Sequence, residues 1–177
     1  MFTAQGFTAT GIEVVLKKMG VPKGSFYHYF GSKEVFAREV LAAYDAYMSR
    51  KLERWLAVPT RTSLDRILDF VADARSGIER HNFERGCLVG NFGQEVSALP
   101  QGFREELDRV LLRWQARVAE CLREGQARGE VAPVLDCDKL GALFWIGWEG
   151  AVLRARLERS TAALETFSQA FVQLVRR

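Results

Sequence analysis

Apolar residues recur at three- and four-residue steps along almost the whole chain, which is the spacing of one face of an α-helix. No segment alternates apolar and polar residues as a strand does, and no Asn-Gly or Asp-Gly hairpin turn occurs. The sequence therefore predicts an all-α fold. The helices expected after the first 31 residues run from Ser32 to Pro59, Ser63 to His81, Cys87 to Val96, Phe103 to Arg128, Asp136 or Asp138 to about 159, and Ser160 or Thr161 onward.

Length and composition exclude several classes of protein. The 177 residues suffice for one domain, or for a small domain fused to a larger one. No apolar run reaches the roughly 18 residues of a membrane span, and the first residues do not form a signal peptide. We therefore expect a cytoplasmic protein with no membrane partner. Three cysteines, an odd number, suit a reducing compartment, and two histidines argue against a zinc site, so no cofactor is expected.

Positive charge is concentrated at the beginning of the chain. Residues 1–33 carry four lysines against Glu13 alone, so this segment holds the whole net charge of +3. A basic end on an otherwise balanced chain indicates a polyanionic partner. Lys17 and Lys18 are equally compatible with an ordinary solvated face.

Two short helices around a tight turn are indicated near the amino terminus. The first would be capped by Thr10 and end at Gly20, which can take the left-handed conformation of a helix stop. Pro22 presets the start of the second helix, and Phe26 and Phe30, four residues apart, would face inward. The other side of the second helix is polar. This pattern is typical of a helix-turn-helix, whose second helix enters the major groove of DNA.

The residues of this motif resemble the DNA-binding signature of the TetR family of transcriptional repressors in type and in spacing. The matching residues are Gly6-Phe7, Thr10, Gly20-Val21, Gly24, Phe26-Tyr27-His28-Tyr29-Phe30 and Ser32-Lys33. The resemblance implies a helix-turn-helix DNA-binding domain over residues 1–36 and a helical ligand-binding and dimerisation domain over residues 37–177. The strong match covers residues 6–36, and the remainder agrees in helix number and length.

By position, the resemblance implies that the helix from about Lys23 to Tyr29 is the recognition helix. Lys23, Gly24 and Ser25 would approach base edges, with Gly24 permitting close approach of the backbone. The residues that would contact phosphates are Thr10, Tyr27, His28 and Lys33. Hydroxyls, ammonium groups and backbone N–H groups at helix starts are what phosphate contacts need. Two alternatives to DNA contacts stay open. Tyr27 and Tyr29 would be ordinary surface aromatics, and His28 would be a metal ligand.

Two departures from the family pattern affect these expectations. Gly11 and Glu13 stand where the family often has a hydroxyl residue and a basic one. Because Glu13 would repel a phosphate, the first helix of the motif is expected to contact DNA sparingly. Met1 and Phe2 correspond to the end of a first helix in the family, so an incomplete first helix is expected here.

The last two predicted helices, over about 138–159 and 161–176, are apolar on a wide face. The residues responsible are Phe144, Trp145, Trp148, Val152, Leu164, Phe167, Phe171 and Leu174. Gly141, Gly147 and Gly150 would allow close helix approach, so we expect a homodimer interface here, with an ordinary internal core as the alternative. A twofold dimer would place two recognition helices on the half-sites of a palindromic operator.

The segment 85–95 holds three glycines, at positions 86, 90 and 93, although each weakens a helix by roughly 1 kcal/mol. Close packing and a nearby cavity are two reasons for such a pattern. A Gly-Cys-Leu followed by Gly-Asn also resembles a TetR subgroup that includes sensors of electrophiles and small unsaturated acids. The resemblance implies a small-molecule effector, electrophilic or a small acid.

Cys87 is the candidate sensor thiol, with Arg85 and a helix start expected to lower its pKa. The alternative is that Cys87 is a small buried apolar residue. Positions 87, 91 and 95 fall on one helical face. The predicted effector site comprises Cys87, Asn91, Phe92, Glu95, Trp114 and Trp148. Alternatively, Glu95 forms a structural salt bridge with an arginine and does not contact the effector.

The sequence thus predicts a repressor, not an enzyme, that binds double-stranded DNA as a dimer and is released by an effector. One alternative is a thiol enzyme built on Cys87, His81 and Glu95, although the chain has no nucleophile elbow and no glycine-rich phosphate loop. Another is a helical ligand-binding module that does not bind DNA.

Overall fold

The computed structural model describes residues 1–176, which form nine α-helices and no β-sheet over that range. The helices are α1 (Phe2–Gln5), α2 (Ile12–Met19), α3 (Lys23–Phe30), α4 (Lys33–Leu56), α5 (Ser63–Arg80), α6 (Leu88–Gln94), α7 (Phe103–Ala127), α8 (Cys137–Glu158) and α9 (Ala162–Val175). The predicted all-α fold is confirmed. None of these helices is long and apolar enough to cross a membrane.

Local sequence signals set most helix boundaries. Ser32 caps α4 by accepting a hydrogen bond from Val35 N at 3.1 Å, and Asp136 caps α8 by accepting from two backbone N–H groups, each at 3.1 Å. Gly129, just beyond α7, has a φ of 75°, as expected of a helix stop. Helix α6 is shorter than the predicted segment and begins after Cys87, its N-cap residue.

Glycines let α8 pack closely on its neighbours within the chain. A Cβ on Gly141 would lie 2.6 Å from Gln115 O of α7, and a Cβ on Gly147 would overlap the Phe167 ring of α9. The predicted close helix approach is confirmed for these two glycines, and it occurs within the chain. Gly150 has open space beside it, so it remains available to a partner.

Most of the apolar residues predicted for a dimer interface lie inside the main core. The buried ones are Phe144, Trp145, Trp148, Val152, Leu164 and Phe171. Phe167 is half-buried and packs on Phe144, with ring centroids 5.4 Å apart. The alternative of an ordinary core is correct for these residues, whereas Leu174 is exposed.

The amino-terminal helices divide between two cores. Ile12, Leu16 and Phe26 form a small cluster between α2 and α3. Phe2 of α1 belongs instead to the main core, and its ring centroid lies 5.4 Å from that of Phe92 in α6. Helix α1 therefore joins the predicted DNA-binding domain to the rest of the chain.

Candidate DNA-binding surface and effector cavity

The turn between α2 and α3 has the geometry that the motif predicts. Gly20 ends α2 with a φ of 65°, and Pro22 immediately precedes α3. Phe26 is buried, with its ring centroid 5.3 Å from Phe30 and 5.4 Å from Phe36. These contacts fix the inward face of α3 and leave its opposite face to solvent.

The solvent face of α3 carries the residues expected to meet DNA. Lys23, Gly24, Ser25, Tyr27 and His28 are all exposed. A Cβ on Gly24 would meet no heavy atom within 4 Å, so packing within the chain does not require glycine there. An open position of this kind suits close approach to a partner.

Glu13, the residue expected to repel DNA, is paired with Lys23. The Lys23 Nζ lies 2.7 Å from Glu13 Oε1, and both side chains are exposed. The hydrogen bond, and then the charge attraction, raise the pKa of Lys23 and lower that of Glu13. A base contact by Lys23 therefore requires this surface pair to open, which solvent-screened pairs do readily.

Lys33 lies at the junction of the motif with the main core. Its Nζ is 4.3 Å from the centroid of the Phe7 ring and 3.5 Å from Thr8 O. Burial lowers the pKa of Lys33, and the nearby Glu95 carboxylate opposes that effect. The Lys33 side chain is half-buried, so it remains in contact with solvent.

Thr10 does not occupy the position predicted for it. The residue is fully buried, and its hydroxyl donates a 2.6 Å hydrogen bond to Gly6 O. Helix α2 follows Gly11 and has no side-chain cap. The predictions that Thr10 caps α2 and contacts a phosphate are therefore wrong, because its hydroxyl closes the turn after α1. Thr8 is the exposed threonine of this loop.

A cavity of about 340 Å³ lies between α4, α5, α8 and the segment before α6. Its apolar wall consists of Tyr44, Tyr47, Met48, Ala74, Ile78, Trp148 and Val152. The charged groups of the lining, which we call the cationic rim, are Lys51, Arg80 and Arg85, with the His81 ring beside them. The remaining lining residues are Thr3, Gly77, Gly86 and Cys87, so the described lining contains no carboxylate.

The cavity contains part of the predicted effector site. Cys87 and Trp148 line it as expected. Asn91 lines a much smaller neighbouring pocket of about 10 Å³, together with Cys87, Glu149 and Arg156. Positions 87, 91 and 95 are predicted to line one wall of the cavity. Only Cys87 does so.

Phe92 and Trp114 belong to the core rather than to the cavity. Both are fully buried. The Phe92 ring packs between Phe2 and Phe103, with centroid distances of 5.4 and 6.0 Å. Trp114 donates from Nε1 to Asp45 Oδ1 at 2.8 Å. The prediction that these two residues bind the effector is wrong, because neighbouring helices cover both rings.

Asn91 and Arg156 tie the cavity region to α1. Asn91 Nδ2 donates to Phe2 O at 3.1 Å, and its Oδ1 accepts from Arg156 Nη1 at 3.1 Å. Arg156 Nη2 donates to Ala4 O at 2.7 Å. Helix α1 is thus held to α6 and α8 through its backbone carbonyls.

Glu95 and Gly86 extend this attachment at the two ends of α6. Glu95 Oε2 accepts from Thr8 N at 2.7 Å, and Gly86 N donates to Thr3 O at 2.7 Å. Glu95 therefore binds the loop after α1, and both its predicted place in the effector site and its predicted arginine partner are wrong. Thr3 also lines the cavity, so α1 forms part of its wall.

The surroundings of Cys87 raise its pKa instead of lowering it. Burial is the main cause, and the Glu149 carboxylate adds to it. Arg85 does not offset these effects, and its Nη1 lies 3.3 Å from His81 Nε2. The expected activation by Arg85 and the helix start is therefore wrong. Burial also raises the pKa of Glu149, to about 7, and that of Tyr44, which lines the cavity together with Cys87.

The other two cysteines lie outside the cavity. Burial raises the pKa of Cys121 to about 11, and its Sγ donates to Ser63 O at 3.5 Å. Burial is also the main cause of the raised pKa of Cys137. Neither lines the cavity described above.

A helix-turn-helix with an exposed second helix, joined to a helical body with a half-open cavity, is typical of a ligand-responsive DNA-binding regulator. Residues 1–40 match the family described as bacterial regulatory proteins, tetR family, and residues 63–171 match the Tetracyclin repressor-like C-terminal domain. The chain belongs to the TetR family of transcriptional regulators. This membership excludes the thiol enzyme considered above.

Curated relatives agree with this assignment. The transcriptional regulator AcuR of Cereibacter sphaeroides is 46% identical over 169 residues, covering 96% of this chain and 77% of AcuR. The HTH-type transcriptional repressor NemR of Escherichia coli is 33% identical, covering 91% of this chain and 81% of NemR. The HTH-type transcriptional repressor DhaR of a Mycobacterium species is 30% identical, with coverages of 94% and 82%.

Solved structures show the same fold. A regulatory protein TetR from Rhodobacter sphaeroides superimposes with a TM-score of 0.95 at 45% identity, covering 97% of this chain and 91% of that one. The reduced form of E. coli NemR superimposes with a TM-score of 0.88 at 30% identity, with coverages of 99% and 91%.

Proposed function

We propose that the protein is a cytoplasmic repressor that binds a palindromic operator as a homodimer and is released by a small anionic effector. The observation that carries this proposal is the cavity, which combines an apolar wall with the cationic rim and touches α1 at Thr3. Each part of the proposal has its own support.

The charge of the lining supports an anionic effector. Lys51 is already paired with Asp73 at 2.8 Å, whereas Arg80 and Arg85 have no ion pair within the described residues and Arg85 lies beside the His81 ring. A carboxylate can accept short charge-assisted hydrogen bonds from arginine. A volume of about 340 Å³ is at the low end for ligand sites, so it suits a small acid with an apolar body.

An exposed row of apolar residues on α8 supports a dimer. Its members, which we call the α8 stripe, are Leu143, Ile146, Gly150, Leu153 and Leu157. They follow one another at alternating three- and four-residue steps, which is the spacing of a helix–helix seam. A contiguous apolar surface of this kind marks an interaction site on a soluble protein. Twofold pairing through this stripe would place two copies of α3 on successive half-sites.

Release from DNA follows if the effector prefers one arrangement of α1 over another. The backbone of α1 is bonded to Gly86, Asn91 and Arg156, all of which lie at the cavity or its small neighbour. A ligand that shifts this wall therefore shifts α1 and, with it, the spacing of the two recognition helices.

Binding of the protein to DNA from upstream of its own gene tests the proposal. Straight-chain monocarboxylates and their matching primary amides would first be compared for their effect on thermal stability. We expect the acids to stabilise the protein and to weaken DNA binding, the amides to do neither, and Arg80→Ala with Arg85→Ala to abolish the response. A protein that binds the acids but no DNA would support the ligand-binding module instead.

A further inference from the structure

A small pocket adjoins the effector cavity between α6 and α8. Its volume is about 10 Å³, which is the space of about one water molecule or of one non-hydrogen atom of a ligand. The pocket and the larger cavity share Gly86, Cys87 and Val152 in their linings. The two spaces therefore lie side by side, and a group of single-atom size on a bound molecule fits the smaller one.

Two side chains that line the small pocket each have a buried polar atom without a hydrogen-bond partner within residues 1–176. The two atoms are Glu149 Oε1 and Arg156 Nε. The other nitrogens of Arg156 are engaged, since Nη1 donates to Asn91 Oδ1 and Nη2 donates to Ala4 O. Buried polar atoms of folded proteins are nearly always hydrogen-bonded. A carboxylate oxygen and a guanidinium N–H left over at one pocket therefore point to a ligand.

Two of the glycines in the segment 85–95 make room for these side chains. A Cβ on Gly90 would overlap Glu149 Oε2, and a Cβ on Gly86 would lie 2.8 Å from Arg156 Cδ and 3.4 Å from its Nε. Any larger residue at either position would push the carboxylate or the guanidinium aside. The two glycines, one before α6 and one within it, therefore keep both polar groups at the pocket.

The two unpartnered atoms select the chemistry of the group that fits between them. A carboxylate accepts and a guanidinium nitrogen donates, so the group must donate one hydrogen bond and accept another. A hydroxyl does both with a single non-hydrogen atom. An ammonium group cannot accept, a carboxylate would face the charge of Glu149, and a primary amide exceeds the volume of one atom. Burial raises the pKa of Glu149 to about 7, and a hydroxyl that donates to the carboxylate would offset that cost.

We propose that the small pocket binds the hydroxyl group of a hydroxy acid whose carboxylate lies at the cationic rim. The hydroxyl donates to Glu149 Oε1 and accepts from Arg156 Nε, and the carbon chain between the two polar ends lies along the apolar wall of the cavity. This inference rests on the anionic effector proposed above and narrows it to an acid with a hydroxyl group away from the carboxylate. Glu149 and Arg156 thereby determine specificity, because a plain acid leaves both atoms without a partner.

Calorimetric titration with straight-chain acids that differ only at their far end tests this site. The probes are the ω-hydroxy acids with three to six carbons, the plain acids of the same lengths and the corresponding ω-methoxy acids. We expect the hydroxy acid of one length to bind the wild type about tenfold or more tightly than its plain counterpart. The methoxy acid should gain nothing over the plain acid, because an ether cannot donate and its methyl group exceeds the pocket.

Glu149→Met removes the acceptor and keeps an unbranched side chain of similar length. The plain acid should then bind at least as tightly as the hydroxy acid, because an unpaired hydroxyl is costly to bury. Glu158→Met, at an exposed position of the same helix, is the matched control and should keep the preference. A preference that survives in Glu149→Met would overturn the inference. So would a wild type that binds no hydroxy acid more tightly than the matching plain and methoxy acids, a comparison that does not depend on the folding of any variant.

DNA binding measured with the same acids separates this inference from the proposed function. Equal binding of plain and hydroxy acids, with release of DNA by both, supports the proposed function and leaves the small pocket to a water molecule alone, which overturns the hydroxyl site. A Glu149-dependent preference without release of DNA supports the hydroxyl site and contradicts release by the effector. If no acid of the series binds, both are overturned.

Discussion

Replacing Asn91 by alanine should loosen α1 from the body of the protein. The substitution removes the 3.1 Å hydrogen bond to Phe2 O and the 3.1 Å hydrogen bond from Arg156 Nη1. A neutral hydrogen bond contributes about 0.5–1.5 kcal/mol, and one to a charged group about 1.5–3 kcal/mol. Arg156 is half-buried and keeps its bond to Ala4 O, so the lower part of both ranges applies. We therefore expect a loss of about 2 kcal/mol in the free energy of unfolding.

Thermal unfolding followed by circular dichroism measures this loss. For a chain of this size, about 2 kcal/mol lowers the melting temperature by roughly 4–8 °C. Gln94→Ala is the matched control, because Gln94 lies on the same helix and is exposed. An Asn91→Ala protein that melts within about 1 °C of the wild type, with operator affinity and effector response unchanged, would refute the coupling of α1 to the cavity through Asn91.

Tyr27→Ala and Lys33→Ala should weaken binding to all DNA sequences, and Lys33→Ala should reduce the salt slope by about one unit; wild-type affinity of the double variant at several salt concentrations would contradict these phosphate contacts. Ile146→Glu or Leu157→Glu should give folded monomers that no longer bind a palindrome, and a dimer that persists in analytical ultracentrifugation would exclude the α8 stripe. Folding raises the pKa of Glu149 from 4.5 to about 7, so its contribution to stability is full below pH 4.5 and is lost as the pH rises to about 7. Glu149→Gln should flatten that part of the stability curve measured by urea unfolding, and an unchanged curve would show that Glu149 is not the titrating group.

Local signals in the sequence were enough to predict the helices and the motif. Ser32 and Asp136 cap their helices by side-chain hydrogen bonds, and Gly20 takes the left-handed conformation, because such effects act within a few residues. Thr10 was assigned incorrectly, because the sequence does not reveal that Gly6 O lies within reach of its hydroxyl.

The effector site was harder to predict, because helical spacing does not reveal which neighbour covers a face. Cys87 and Glu95 share such a face, yet α1 and its loop cover the end that carries Glu95. Glu149 was missed altogether, although a signal exists. It is a single acid in the run Trp-Ile-Gly-Trp-Glu-Gly-Ala-Val, and a lone acid in an apolar helix predicts a buried titratable group.

The most direct test concerns the link between cavity occupancy and operator binding. Fluorescence anisotropy of labelled upstream DNA, with and without a saturating monocarboxylate, measures that link, and the matching amide and the Arg80→Ala, Arg85→Ala protein serve as controls. We predict that the acid weakens operator binding by about 5- to 150-fold, that the operator weakens acid binding by the same factor, and that both controls are inert. Operator affinity that stays unchanged while the acid fills the cavity would contradict this link.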